Sequence, residues 1–467
     1  MDFLNQLVQT LNNILWGNLL IIPLIVLGVY FTIRTGFVQF SYFKEMLRLL
    51  GDGIGKSDKK SNSISSFQAF CISTASRVGT GNIAGVAIAI AFGGPGAVFW
   101  MWLIALLGAA SSFIESTLAQ IYKSKDEVGF RGGPAYYMEK GLGMRWLGII
   151  FAALITISFG LIFNAVQSNT ITAAFSSAFG INKLVLGIII SIVTAIVIFG
   201  GTKRIAKVSE VIVPIFALLY VAVAVLVMLL NIKEIPGVFA LIFENAFGLR
   251  EIGVGGIAGT IMYGVKRGLF SNEAGMGSAP NAAATATVSH PVKQGLIQAF
   301  GVFVDTIIIC SCTAFIILLA GDYTNTNLTG IELTQAALTA QFGNFGSYFI
   351  AICILLFAFS SIVGNYYYGQ SNIEFIKYNK TFMNIYRVLV ITMVLIGSIL
   401  KVSIVWDLAD VFMGLMAIIN LITITILSGQ SIACLKDYKK QRQQGIQDPV
   451  FKASSIPGLK VEDTEWQ

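Results

Sequence analysis

Long apolar runs recur from Trp16 to Cys434, many of them near or above the ~20 residues that a helix needs to cross a bilayer core. A backbone in lipid must satisfy its polar groups internally, so runs of this kind specify a bundle of transmembrane helices. Composition agrees, with 55% of residues apolar and 12% charged, about half the charge content of an ordinary soluble domain. No polar stretch is long enough to fold by itself, and one membrane domain is expected. The excess of 31 Lys and Arg over 24 Asp and Glu would suggest nucleic acid in a soluble chain. Here the basic residues sit in short connections, which points to membrane lipid and not to nucleic acid. The N-terminal stretch carries no Lys or Arg before the first apolar run, unlike the basic start of a cleaved signal peptide, so that run is expected to be retained. Cys71, Cys310, Cys312, Cys353 and Cys434 lie in apolar stretches without metal-ligand spacing and read as small core residues.

The expected spans lie near 16–33, 67–91, 97–122, 146–168, 183–200, 208–230, 252–287, 293–320, 345–371, 383–400 and 405–434, eleven in all. Lys and Arg collect in alternate connections, 24 on one side against 4 on the other. Because basic loops stay in the cytoplasm, the N-terminus is expected outside and the C-terminus inside a cell (inner) membrane. Phe40, Phe43, Leu47 and Leu50 recur at helical spacing beside Lys44, Glu45 and Arg48, the pattern of a helix lying on the cytoplasmic surface. Thr329 and Glu332 have capping-box spacing, which predicts a short outer surface helix. The tail after Leu435 is rich in Lys, Gln and Pro and reads as a disordered extension.

Two spans contain sequences that a continuous helix in lipid would not favour. One is the polar, glycine-bearing segment Ser73–Asn82. The other is Gly268–Pro280, within a region where thirteen of the nineteen residues from Ser271 to Ser289 are Ala, Gly, Ser or Thr. Non-helical backbone at membrane depth is tolerated where it lines a cavity. With the first span set aside, these segments open two five-helix groups, 67–230 and 252–434, that cross in opposite directions. The remaining parts are 1–66, the connection 231–251 and the tail 435–467. The fold expected is thus all-α, a 5+5 inverted repeat with one extra N-terminal helix. Transporters of this design bind between two discontinuous helices whose N-termini attract a carboxylate and whose unwound carbonyls hold a cation. The alternative is that the small residues only let helices pack closely.

Gly79-Thr80-Gly81-Asn82-Ile83-Ala84-Gly85-Val86, Gly132-Gly133-Pro134-Ala135-Tyr136-Tyr137-Met138 and the run from Gly268 to Pro280 resemble the alanine/glycine:cation symporter family. The resemblance implies uptake of a small neutral amino acid coupled to Na⁺, or in some members H⁺, and a fold similar to that of the leucine transporter. It implies no cofactor beyond the coupling ion. Gly79, Thr80, Gly81 and Asn82 then offer backbone N–H groups, a hydroxyl and an amide to substrate or cation. By the same resemblance the carbonyls of Ala75 and Val78 and the hydroxyls of Ser360 and Ser361 form a Na⁺ site, although two serines can equally bond their own helix. Asn272, Gly275 and Gly277 are candidates for the amino-acid backbone, and Phe270 and Met276 for the wall of the side-chain space, or simply for core. Phe163, Asn164 and Gln167 either close the site or bond between helices.

Glu115, Glu273 and Asp305 are acids at membrane depth, with Arg77, Lys266 and Arg267 as candidate partners. A proton-coupled carrier, or one for a larger amino acid such as glutamine, is the nearest alternative. A channel fits less well, since no ring of filter residues repeats. An intramembrane enzyme fits less well again, because HExxH and GxSxG are absent and His290 is the only histidine.

Overall fold

The apolar runs fold as helices in the computed structural model, which describes residues 2–53, 64–126, 129–200, 202–249, 256–321, 328–459, 461 and 466. In chain order the main helices are α1 (Asn5–Arg34), α2 (Phe43–Gly53), α3 (Ser66–Arg77), α4 (Gly81–Gly93), α5 (Ala97–Ile121), α6 (Pro134–Leu142), α7 (Arg145–Phe179), α8 (Lys183–Ile198), α9 (Thr202–Leu230) and α10 (Ile235–Ala246). They continue with α11 (Gly256–Asn272), α12 (Ala279–Ala283), α13 (Pro291–Ala320), α14 (Gly330–Phe342), α15 (Asn344–Ile376), α16 (Lys380–Ile399) and α17 (Val402–Gln443). A two-stranded antiparallel ribbon, Ser124–Asp126 with Gly129–Arg131, precedes α6. Among the described residues seven helices are long and apolar enough to cross a membrane, or nine if two bent pairs are each counted as one span.

Burial sorts these helices into an inner set and a rim. α3, α4 and the last two turns of α11 are buried almost throughout. By contrast, α8 turns Leu184, Val185, Ile188, Ile189, Ile192 and Ile196 outward, the apolar surface expected of a helix against lipid tails. α1 docks on α17 through Asn12 Nδ2, which donates to the Asp407 carbonyl at 3.0 Å, and Trp16 Nε1, which donates to the Asp410 carbonyl at 3.1 Å.

Both expected interruptions are present. The first falls at Val78–Thr80, where Val78 has φ −77° and ψ 92°, and the axis bends by 48° between α3 and α4. The second falls between α11 and α12, where Glu273, Gly275 and Gly277 take φ of 56°, 82° and 85°. It differs from a simple broken helix. α12 has only five residues, and the chain then runs without helix to His290, the N-cap of α13. The alanines there pack against α5 instead of propagating a helix: Gln120 Nε2 donates to the carbonyls of Ala283 and Ala286.

Two surface expectations need correction, and one residue without a stated role is placed. α14 forms, but Thr329 makes no side-chain cap, and Ile331, Leu333, Thr334 and Leu338 are buried. The helix dips inward until Thr334 Oγ1 reaches the Ile83 carbonyl at 3.3 Å, so inward packing replaces the predicted surface position. His290 does cap α13 but is fully buried. The tail is not a loose extension: α17 runs on to Gln443, and Phe451, Ile456 and Trp466 are buried against the rest of the chain. Polar composition hid these three apolar anchors. The expected helix forms as α2, but Phe40 lies before it in a separate turn, Val38–Ser41, and the helix buries Met46 and Leu49, leaves Leu47 exposed and sets Phe43 against Phe300 and Phe303.

Candidate functional site

The unwound turn at Val78–Thr80 lies against the end of α11, because Gly81 has no side chain. A Cβ there would stand 3.0 Å from the Phe270 ring and 3.1 Å from Ser271 Cα. Wide, π-type turns at Gly81–Gly85, at Ser158–Phe163 of α7 and at Phe303–Cys310 of α13 meet in this region, and such turns gather at functional sites. Gln167 of α7 completes it: its Oε1 accepts from the Thr80 N–H at 3.0 Å and the Thr80 hydroxyl at 2.6 Å. A neutral side-chain oxygen therefore caps the start of α4, where the helix dipole favours an anion.

Asn82 does different work. Its Oδ1 accepts from the Gly79 N–H at 2.9 Å, while its Nδ2 reaches Asp305 Oδ1 at 2.6 Å and Ser271 Oγ at 3.0 Å. Asp305 also accepts from the hydroxyls of Ser271 and Thr306, at 2.7 and 2.9 Å. The amide thus ties both broken helices to α13. Overhead, Phe270 packs between Phe163 and Trp406, with ring centroids 4.9 and 4.8 Å away, and the Arg267 guanidinium lies 4.6 Å from the Trp406 ring. Arg267 and Lys266 both pair with Asp410 of α17.

Gly275, Met276 and Gly277 are placed elsewhere. The amides of Gly275 and Gly277 both donate to the Glu115 carboxylate, each at 3.1 Å, and Asn420 Nδ2 donates to the same group at 2.8 Å. Tyr137 in turn donates to Asn420 Oδ1 at 2.5 Å. Two glycines in the left-handed region, one residue apart, aim their N–H groups at one carboxylate, a nest-like arrangement for an anion, and this chain fills it with its own acid. Met276 is buried. Asn272 Oδ1 accepts from the Ala274 N–H at 3.0 Å, and its Nδ2 is buried with no hydrogen-bond partner among the described residues. Glu273 is held by the hydroxyls of Ser76 and Ser278, and Ser76 leads through Asn365 to Asn164.

The expected cation oxygens are partly gathered. α15 approaches α3 so closely that a Cβ on Gly364 would lie 3.1 Å from Ser76 N. Ser361 Oγ is 3.4 Å from the Val78 carbonyl and 3.1 Å from that of Phe357. Ser360 Oγ bonds back to the Phe357 carbonyl at 2.8 Å, along its own helix. Ala75 is buried on α3. The acids and bases at membrane depth also choose partners that the sequence does not announce. Lys266 and Arg267 serve Asp410, while Arg77 donates to the Gln298 carbonyl at 3.2 Å and to the Ser112 hydroxyl. Trp406, Asp410, Asn365 and Asn420 are absent from the residues that the sequence analysis singles out. Each is a polar or indole-bearing residue inside an apolar run, and that is the signal that could have found them.

A family profile described as the Sodium:alanine symporter family matches residues 1–453. The chain is 58% identical to the amino-acid carrier protein AlsT of Bacillus subtilis, covering 100% of this chain and 98% of that one. It is also 58% identical to the probable sodium/glutamine symporter GlnT of the same organism, over 96% and 94% of the two chains. A sodium/proton-dependent alanine carrier of Bacillus strain PS3 shares 40% identity over 89% of this chain and 96% of its own. Among solved structures, MhsT in complex with L-phenylalanine superposes with a TM-score of 0.53 at 14% identity, covering 80% of this chain and 99% of that one. At that identity the likeness speaks for the fold alone, a helical transporter fold of the leucine-transporter kind.

Proposed function

This chain belongs to the sodium:alanine symporter family, and from that premise we propose that it couples inward movement of Na⁺ to uptake of a small neutral amino acid such as alanine or glycine by alternating access. The observation that carries the reading is the meeting of two interrupted helices at Gly79–Asn82 and Phe270–Asn272, buried and flanked by Gln167 and Ser361. The substrate carboxylate takes the Thr80 N–H and hydroxyl in place of Gln167 Oε1, and the orphan Asn272 Nδ2, at the other interrupted helix, is a further donor for the substrate. Na⁺ sits between the carbonyls of Ala75 and Val78 and the hydroxyl of Ser361, with Ser360 as a fourth ligand after a rotamer change, all hard oxygens suited to a hard cation. Phe270, Phe163 and Trp406 bound the side-chain space and hold it small.

Eleven spans complete the reading. Five from α3 to α9 and five from α11 to α17 form inverted repeats, α1 is an addition, and the N-terminus is outside the cell membrane with the tail in the cytoplasm. Uptake of labelled alanine, glycine and glutamine into proteoliposomes under imposed Na⁺ or H⁺ gradients tests the proposal. Glutamine belongs in the panel because GlnT, at 58% identity, is named for it. Accumulation driven by H⁺ alone would replace Na⁺ as the coupling ion, and no gradient-driven accumulation of any of the three would overturn symport.

A further inference from the structure

The tail does more than cover polar surface. After α17 the chain reverses at Gly445, whose φ of 84° permits the turn. The return is fixed by Gln441, whose side-chain amide both donates to the Val450 carbonyl and accepts from its N–H, each at 2.9 Å. Asp448 then pairs with Lys293 of α13. Ser289 is gripped twice, its hydroxyl donating to the Pro449 carbonyl at 2.8 Å and its own carbonyl accepting from the Phe451 N–H at 2.9 Å. The Phe451 ring packs against His290 and Trp466, at 5.2 and 5.5 Å. Trp466 Nε1 reaches the Gln120 carbonyl at the end of α5 at 2.9 Å, and the Lys123 ammonium lies 4.6 Å from its ring.

What the tail grips is the non-helical linker between α12 and α13, and that linker is also held from its other side. Thr287 N donates to the Ile64 carbonyl at 3.1 Å, in the lead-in to α3, and Ile64 pairs with Ala286 as an isolated parallel bridge. Gln120 and Lys123 bond the Ala286 carbonyl from α5. One linker therefore joins the near ends of both broken helices, α5 and the tail. These elements meet at the tail-side end of α3, one helix length (Ser66–Arg77) from the break at Val78–Thr80.

We propose that residues 446–459 with Trp466 form a strap that holds the carrier closed on the tail side, and that its release is a condition for opening there. This rests on the symport reading for its direction, the tail side being cytoplasmic, but it concerns a separate part of the chain. The contacts are several and individually weak, a polar and aromatic set over a buried linker. Such a set can let go as a unit and re-form, as a switching element must.

The test uses the full chain with its five cysteines replaced and Ala286→Cys, buried in the parent, as reporter. Phe451→Ala with Trp466→Ala removes the two aromatic anchors. The expectation is that maleimide labelling of the reporter from the tail side and efflux of preloaded labelled amino acid both rise, by about fivefold or more, the lower end of coupling between linked sites. If that pair fails to fold, Asp448→Asn with Gln441→Ala, which act on the exposed return of the chain, carry the same expectation. A well-folded variant in which either rate stays at the parent value overturns the strap. Labelling needs no transport, so if the parent itself moves no amino acid, symport falls and labelling alone decides the strap.

Discussion

A side chain at Gly277 has nowhere to go. Its φ of 85° disfavours any L-residue, and a Cβ would stand 2.7 Å from the Phe151 ring and 2.8 Å from Pro134 Cγ. Gly277→Ala is therefore expected to cost roughly 1–3 kcal/mol of stability from backbone strain and overlap, read as a lowered melting temperature in detergent. Gly81 presents a different problem, since its backbone is ordinary and only the approach of Phe270 and Ser271 excludes a side chain. Gly81→Leu should still insert but force the two broken helices apart, at a cost of roughly 1–3 kcal/mol, and transport nothing; parent-like uptake would detach the crossed helices from binding. His290 offers a pH test outside the spans. Burial lowers its pKa below the usual histidine value, with Lys293 adding to that and Asp437 opposing it. A group that folds neutral contributes stability at neutral pH and loses it as the pH falls below ~6.5, where the unfolded histidine protonates first. Asn at this position can still accept from the Val292 N–H as an N-cap. His290→Asn should accordingly flatten the acid limb of a melting-temperature profile between pH 7 and 5, and an unchanged limb would remove His290 from it.

At the scale of elements, the breaks in α3–α4 and α11–α12 were legible because glycine and polar residues at that density are costly in lipid unless the backbone lines a cavity. Their partners were not. Glu115 lies 160 residues before Gly275, and no local pattern says that an acid on α5 will fill the nest the glycines make. The same limit applies to the two serines on α15. Adjacent side chains leave a helix about 100° apart, so Ser361 already faces the Val78 carbonyl whereas Ser360, bonded to its own helix, has to change rotamer to reach the same place. Ser361→Ala should then raise the Na⁺ concentration needed for half-maximal substrate binding more strongly than Ser360→Ala. Substrate binding titrated with Na⁺ at constant ionic strength decides it. Equal effects, or none, would remove the asymmetric site.

For the whole molecule, basic residues in alternate connections supply an orientation in the membrane that helix packing alone does not. The split of 24 against 4 predicts that a cysteine at Glu332, in a cysteine-free background, reacts with an impermeant reagent in intact cells and that one at Lys440 does not. The reverse pattern would exchange inside and outside throughout the chain. The helical membrane fold and its two breaks were readable from apolar spacing, whereas the folded tail was not, because Phe451, Ile456 and Trp466 are too sparse to form a periodic signal. The Gln167 carboxamide that caps Thr80 has a consequence at this scale too. In the proposed binding mode a ligand carboxylate would evict an oxygen already bonded to the same donors, so binding would exchange one acceptor for another and the net gain would be far smaller than the gross strength of the bonds. When the ligand left, the Thr80 donors would go back to the carboxamide, where this structure has them. On that reading release would be cheap and the empty return unhindered, and a carrier that has to let go in every cycle would be served better by such an internal understudy than by a tighter grip.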